Sequence, residues 1–188
     1  MDCIGSIKAH MTAAKDAITK VTAHITYRNL SLTINVAFVG YCNFCDSRDR
    51  LTSFPFLRDQ RTFQAFVVNE LAKDGGNSLI DVLSELNEAL RLKWFGGMCL
   101  FLHMKDYPPH GLQFSNLCDD HPDGRPHKLI YQKLLQEFME QSIFYYFGRI
   151  TEHTDKMIQL FEKTLGGLIH SFDLCTGDGF ASLLERII

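Results

Sequence analysis

The sequence predicts an α/β protein, a mostly parallel sheet with helices on both faces, in a single domain spanning residues 1–188. Three observations predict it. Short apolar runs of strand length alternate with longer stretches whose apolar residues recur every three to four positions, the two periods that separate strands from amphipathic helices. In the second half MCLFLHM at 98–104 is nearly continuous, as in a strand covered on both faces, and IFYYFG at 143–148 reads as a further strand. Finally, 46% of the residues are hydrophobic and 22% charged, so the chain can bury a sizeable core. The expected order is α-β-β-α-α-β-α-β-α-β-α, an alternation that implies right-handed crossovers between parallel strands.

Ile7, Met11, Ala14, Ile18, Val21 and Ile25 draw one apolar stripe down an opening helix. Residues 30–41 (LSLTINVAFVGY) begin in strict alternation and end as an unbroken apolar run, the pattern of a strand entering a core. CNFCDSRDR then forms a loop. The strand at 51–57 contains Pro55, which cannot donate to a ladder and favours an edge position. These two strands are expected to pair antiparallel. Asp59 can cap a helix with Phe63, Phe66, Val67 and Leu71 on one face, ended by Gly75 and Gly76. The next helix turns Leu79, Val82, Leu83, Leu86 and Leu90 inward, and the run at 98–104 reads as a central parallel strand. Residues 105–127 form a long polar connection rich in Pro and acidic residues, a length that is often functional or mobile. A helix with Leu129, Leu134, Leu135 and Phe138, the strand at 143–148, a helix with Met157, Leu160 and Phe161, a strand at 168–174 and a last helix from about Gly179 complete the order.

Charge and composition narrow the function classes. Lys+Arg number 19 against 22 Asp+Glu, a formal net charge of −3, which supplies no basic footprint for a phosphate backbone. Nucleic acid is therefore not an expected partner. No run of about 18 or more apolar residues occurs, and MDCIGSIKAHMTAAK lacks the cationic and apolar regions of a signal peptide, so no membrane association is expected. Six scattered cysteines, several within apolar runs, suit free thiols in a reducing cytoplasmic compartment better than a disulfide scaffold.

Four strings carry a resemblance: DCIGSIKAHMTAAKDAI, INVAFVGYCNFCD, LRLKWFGGMCLFLHMKDYPPHG and FGRITEHTDKMIQLFEK. Together they span most of the chain and resemble a von Willebrand factor type A domain, closest to those that accompany alpha-type (atypical) protein kinases. The resemblance implies a Rossmann-like fold and a metal-ion-dependent adhesion site at the carboxyl ends of the strands, where open α/β sheets bind their ligands. Such a site holds a hard, Mg²⁺-like cation through carboxylate and hydroxyl oxygens, and a carboxylate from a protein partner completes the shell. By resemblance the ligands are Asp2 and Ser6 from the first loop, Asn77 or Ser78 from the second, and Asp106 after HMK.

Two departures qualify that implication. Ile4 stands where the motif has a hydroxyl, and the second loop, GGNSLIDV, offers no acid before Asp81. The family's central first strand ends just before the motif aspartate, which here is residue 2. The expectation is a sheet without its central strand, so that the strands at 30–41 and 98–104 lose their shared neighbour and their backbone groups pair with each other, with a partner, or not at all. Each buried backbone group left unpaired there would cost about 1–3 kcal/mol. An N-terminally truncated, spliced or degenerate form is the reading that follows.

Other constellations have simpler readings. Cys42 and Cys45 form C-x-x-C, and Cys118 with His121 forms C-x-x-H, which are zinc-ligand types, but free thiols on loops are preferred over a Zn²⁺ site. His103, His110, His121 and His127 lie with Asp119, Asp120 and Asp123 around the long loop at 105–127, as a metal-dependent hydrolase could arrange them. A solvated loop surface accounts for the same residues. No nucleophile elbow, phosphate loop or kinase ATP-binding element is present. The expected function is a non-catalytic, regulatory protein-interaction module with a degenerate metal site. The alternatives are a metal-dependent enzyme using that loop, or a product without function.

Overall fold

The computed structural model describes residues 33–41, 51–69, 81–124 and 129–174, together with Thr19, Ala23, Tyr27 and Arg28. The expected opening helix stripe, the CNFCDSRDR loop, Leu71, the Gly75–Gly76 helix end, Leu79, His127 and the last helix lie outside the described residues.

Strands β1 (Val36–Tyr41) and β2 (Leu51–Leu57) pair antiparallel, as expected from their alternation. Residues 33–35, read as the strand's beginning, have no regular structure. The register slips between Val36 and Phe38: Val36 faces Leu57 but Phe38 faces Phe54, so Pro55 and Phe56 lie opposite Ala37 alone. A bulge at this point accommodates the proline, which has no N–H to give the ladder. Helix α1 (Gln60–Asn69) follows at once. Asp59 begins it as the sequence implied, its carboxylate accepting from Arg61 N–H at 3.0 Å and from the Thr62 hydroxyl at 2.6 Å.

Helix α2 (Val82–Arg91) is capped by Asp81, whose Oδ1 accepts from Ser84 N–H at 3.1 Å. Strand β3 (Cys99–Lys105), helix α3 (Tyr131–Glu140), strand β4 (Ile143–Arg149), a 3-10 turn (Glu152–Thr154), helix α4 (Asp155–Leu165) and strand β5 (Ile169–Asp173) complete the described order. Helix α4 ends at Gly166, whose φ of 62° is the left-handed conformation that closes a helix without Cβ strain. Strands β3, β4 and β5 form a parallel three-stranded sheet flanked by helices, the α/β architecture that the alternation predicts.

Within that sheet β4, not β3, is the middle strand of the described three. The nearly continuous apolar run of β3 reports burial of its two faces, which does not say how many strands flank it. The described strands fall into two sheets, β1-β2 and β3-β4-β5, with no ladder between them. Side chains nevertheless join them on both faces. On one, Val39 of β1 belongs to the large cluster that α2, α3 and α4 build with Tyr145 and Phe147. On the other, Phe38 and Phe63 meet Met104 and Ile150. Gly148 permits close packing on that second face, because a Cβ there would lie 2.7 Å from Leu174 and 3.0 Å from Met104.

Candidate functional site

Parallel strands β3 and β4 deliver their carboxyl ends to the same side of the molecule. Asp106 follows β3 directly and is buried, 3% exposed. Its main-chain carbonyl accepts a hydrogen bond from the Thr151 hydroxyl, which comes from the loop after β4. The Thr154 hydroxyl closes that loop by donating to Thr151 O at 3.0 Å. Next to Asp106, the Tyr107 ring stacks on His153, with ring centres 4.9 Å apart and planes 22° apart. Of the predicted ligands the structure therefore places Asp106, at the end of a core strand. Asp2, Ser6, Asn77 and Ser78 lie outside the described residues.

Beneath Asp106 is a polar cluster that sequence reasoning missed. Alternation along β3 sends Phe101, His103 and Lys105 to the helix-facing side, where Glu85 of α2 meets them. The side chains of Glu85, His103 and Lys105 are fully buried, and Lys105 Nζ lies 2.6 Å from Glu85 Oε2. Burial, the largest single influence, would raise the Glu85 carboxyl, but the Lys105 ammonium and its hydrogen bond, together with the other positive groups, more than reverse it and leave the group at about 2. Burial lowers His103 to about 3, so its ring is neutral at ordinary pH. His103 Nδ1 is 2.6 Å from the Tyr145 hydroxyl. Burial pushes that phenol well above its usual value, so it stays protonated. Nε2 of the same ring faces Glu85 Oε2 at 3.8 Å. A signal was available: Glu85 stands three residues after Val82 and four before Ala89, on the apolar stripe of α2.

The long connection after β3 is anchored along its described part. Phe114 is 1% exposed and packs edge-on against Tyr131 and Phe161. Lys156 of α4 donates to Leu112 O at 2.6 Å and to Asn116 Oδ1 at 2.9 Å. Asp119 organises the next turn: its carboxylate accepts from His110 Nδ1 at 2.6 Å, Gly111 N–H at 2.5 Å and His121 N–H at 2.8 Å. Burial pushes that carboxyl up, and these hydrogen bonds more than reverse it, leaving its pKa lowered. At the far end of β4, Arg149 makes a fork on Asp155 of α4, at 2.5 and 3.1 Å, and reaches Asp173 of β5 at 3.1 Å.

The donors in place do not by themselves compose a cation site. Among the described residues no group of three or more His, Cys, Asp or Glu side chains is arranged to hold a metal ion. Asp106 would contribute one hard oxygen, which suits a Mg²⁺-like ion only alongside further ligands. Of the zinc-type residues, Cys118 is a free, exposed thiol, and Cys42 and Cys45 lie outside the described residues. No described helix is long and apolar enough to cross a membrane.

The fold and this strand-end aspartate define an α/β module with its polar face at the carboxyl ends of a parallel sheet. Solved structures share the fold. The pilus adhesin SpaC from Lactobacillus rhamnosus GG superposes with a TM-score of 0.66 at 12% identity, over 99% of this chain and 29% of that one. The conserved hypothetical protein BatB from Bacteroides thetaiotaomicron does so with a TM-score of 0.63 at 12% identity, over 99% of this chain and 93% of that one. By sequence the chain is similar to the alpha-protein kinase vwkA of Dictyostelium discoideum, 28% identical over 165 residues, or 87% of this chain. It spans about a quarter of that kinase's length, 26%. No family model matches the chain.

Proposed function

We propose that the chain is a von Willebrand factor type A-like module of the kind attached to alpha-kinases, serving as a non-catalytic, regulatory protein-interaction unit. The observation that carries this reading is Asp106, buried at the carboxyl end of a core parallel strand in a fold shared with an adhesin, in a chain similar to an alpha-protein kinase. A carboxylate at this point suits a Mg²⁺-type ion that a partner's carboxylate would complete, with Asp2, Ser6, Asn77 and Ser78 as the other proposed ligands. With Ile4 in place of a hydroxyl, the site is degenerate and the ion weakly held. A cytoplasmic setting agrees with the cysteine usage.

Thermal melts in Mg²⁺, Mn²⁺ or EDTA test the metal-dependent part. An ion present at one hundred times its Kd adds about 2.7 kcal/mol, or about 5–10 °C in Tm for a domain of this size. The expected result is a shift that EDTA reverses and Asp106→Ala removes. Equal melting in all three conditions would overturn metal binding, and chelator-sensitive turnover of a substrate would overturn the non-catalytic reading.

A further inference from the structure

A carboxylate at a strand end is only as well aimed as the main chain that carries it. The parallel pairing of β3 with β4 ends at Lys105 and Arg149, and Ile150 N–H still donates to Lys105 O at 3.3 Å. Asp106 is the first residue past that pairing, so its direction depends on contacts from outside β3. Two of them come from the loop after β4. The Thr151 hydroxyl donates to Asp106 O, and the His153 ring stacks on Tyr107 with centres 4.9 Å apart. The peptide unit between Asp106 and Tyr107 is planar, so holding its carbonyl and the next side chain limits how far Asp106 can swing.

The donor is itself braced. Thr151 is extended, with φ −132° and ψ 163°, and its carbonyl accepts from the hydroxyl of the fully buried Thr154 at 3.0 Å. The residues at the two ends of the loop, Arg149 and Asp155, are joined by the fork at 2.5 and 3.1 Å. The loop is thus tied across its base, and the Thr151 hydroxyl meets Asp106 from a fixed position. Mg²⁺ demands near-ideal octahedral geometry, so a misdirected carboxylate loses affinity. Hydrogen bonds behind a ligating group supply its direction, and removing one typically costs about tenfold or more in metal affinity.

We infer that Thr151 is a positioning residue of the strand-end cation site: its hydroxyl fixes the main chain at Asp106 so that the carboxylate meets a Mg²⁺-type ion, without itself ligating that ion. The inference rests on the reading of Asp106 as a metal ligand. It brings into the site a loop that supplies none of the proposed ligands, through a residue 45 positions away in sequence.

The test is calorimetric titration of the full chain with Mg²⁺ alone, beside thermal melts in EDTA. Thr151→Val keeps the branched shape that suits an extended backbone and removes only the hydroxyl, and the melt in EDTA reports whatever the fold loses without an ion. The expected result is a Mg²⁺ Kd raised about tenfold in Thr151→Val, restored in Thr151→Ser, which keeps a hydroxyl, and no binding in Asp106→Ala. Unchanged Mg²⁺ affinity in a folded Thr151→Val would overturn the inference and leave the metal reading standing. A loss shared in full by Thr151→Ser would also overturn it, because the hydroxyl would not be the cause. No Mg²⁺ binding by the unaltered chain, or binding kept in Asp106→Ala, would overturn the metal reading and this inference together.

Discussion

The most consequential residues are the charged pair in the core. Glu85 and Lys105 are each fully buried, and taking either charge out of water is repaid only while the other stays in place. Glu85→Ala is expected to cost about 3–5 kcal/mol in urea unfolding, whereas an apolar pair of similar volume, Glu85→Leu with Lys105→Met, recovers most of it. The same cluster sets the acid response. His103 titrates at about 3 in the fold against 6.5 unfolded, so its contribution is present above pH 6.5 and is lost as pH falls toward 3. Glu85, held at about 2 against 4.5, adds a loss that begins only below pH 4.5. Urea midpoints should therefore decline from pH 6.5 downward, with a slope of at most about 1.4 kcal/mol per pH unit for the histidine. His103→Asn should flatten the part above pH 4.5, and an unchanged slope in that variant would refute the assignment.

At the scale of elements, periodicity located what it could. The β1–β2 pair, α2, β3, α3, β4, α4 and β5 stand close to the residues whose spacing announced them, because one-face burial leaves a pattern in sequence. Asp59 and Asp81 both begin helices, and Asp81, weighed as a late acid of the second loop, is a cap among the described residues. What stayed hidden depends on distant partners. Nothing local says that Glu85 meets Lys105, or that Arg149 forks onto Asp155. The loop at 105–127 misled by composition: polar and proline-rich, it read as a solvated surface, yet Phe114 is seated in the core and Lys156 ties three of its acceptors to α4. Lys156→Met should cost only about 1 kcal/mol globally. Its larger effect should be local, as faster amide exchange and protease nicking across residues 111–117; unchanged protection there would show that Phe114 alone holds the loop.

At the scale of the whole molecule, the architecture and the place of Asp106 after a strand were legible, whereas the middle position of β4 among the three described parallel strands was not. The run at 98–104 was read as central because it is apolar on both faces, and burial does not count neighbours. The candidate metal site was legible only through resemblance, since its ligands are scattered from Asp2 to Asp106 and no spacing rule links them. The prediction that belongs to this scale is the Mg²⁺-dependent melt, which reads the site without naming its partner.

Among the described residues no ladder joins β1–β2 to β3–β4–β5, which also bears on how the protein opens. Side-chain packing is the described link between the two sheets, through Phe38, Phe63, Met104 and Ile150 on one face and Val39 on the other. Packing of this kind can yield without rupturing a ladder, which makes β1, β2 and α1 one cooperative unit that opens at lower free energy than the parallel sheet. Native-state hydrogen exchange should show residues 36–41 and 51–69 losing protection together, ahead of 99–105 and 143–149. A single common opening free energy across both sets would mean that the seam is as strong as the strands it joins.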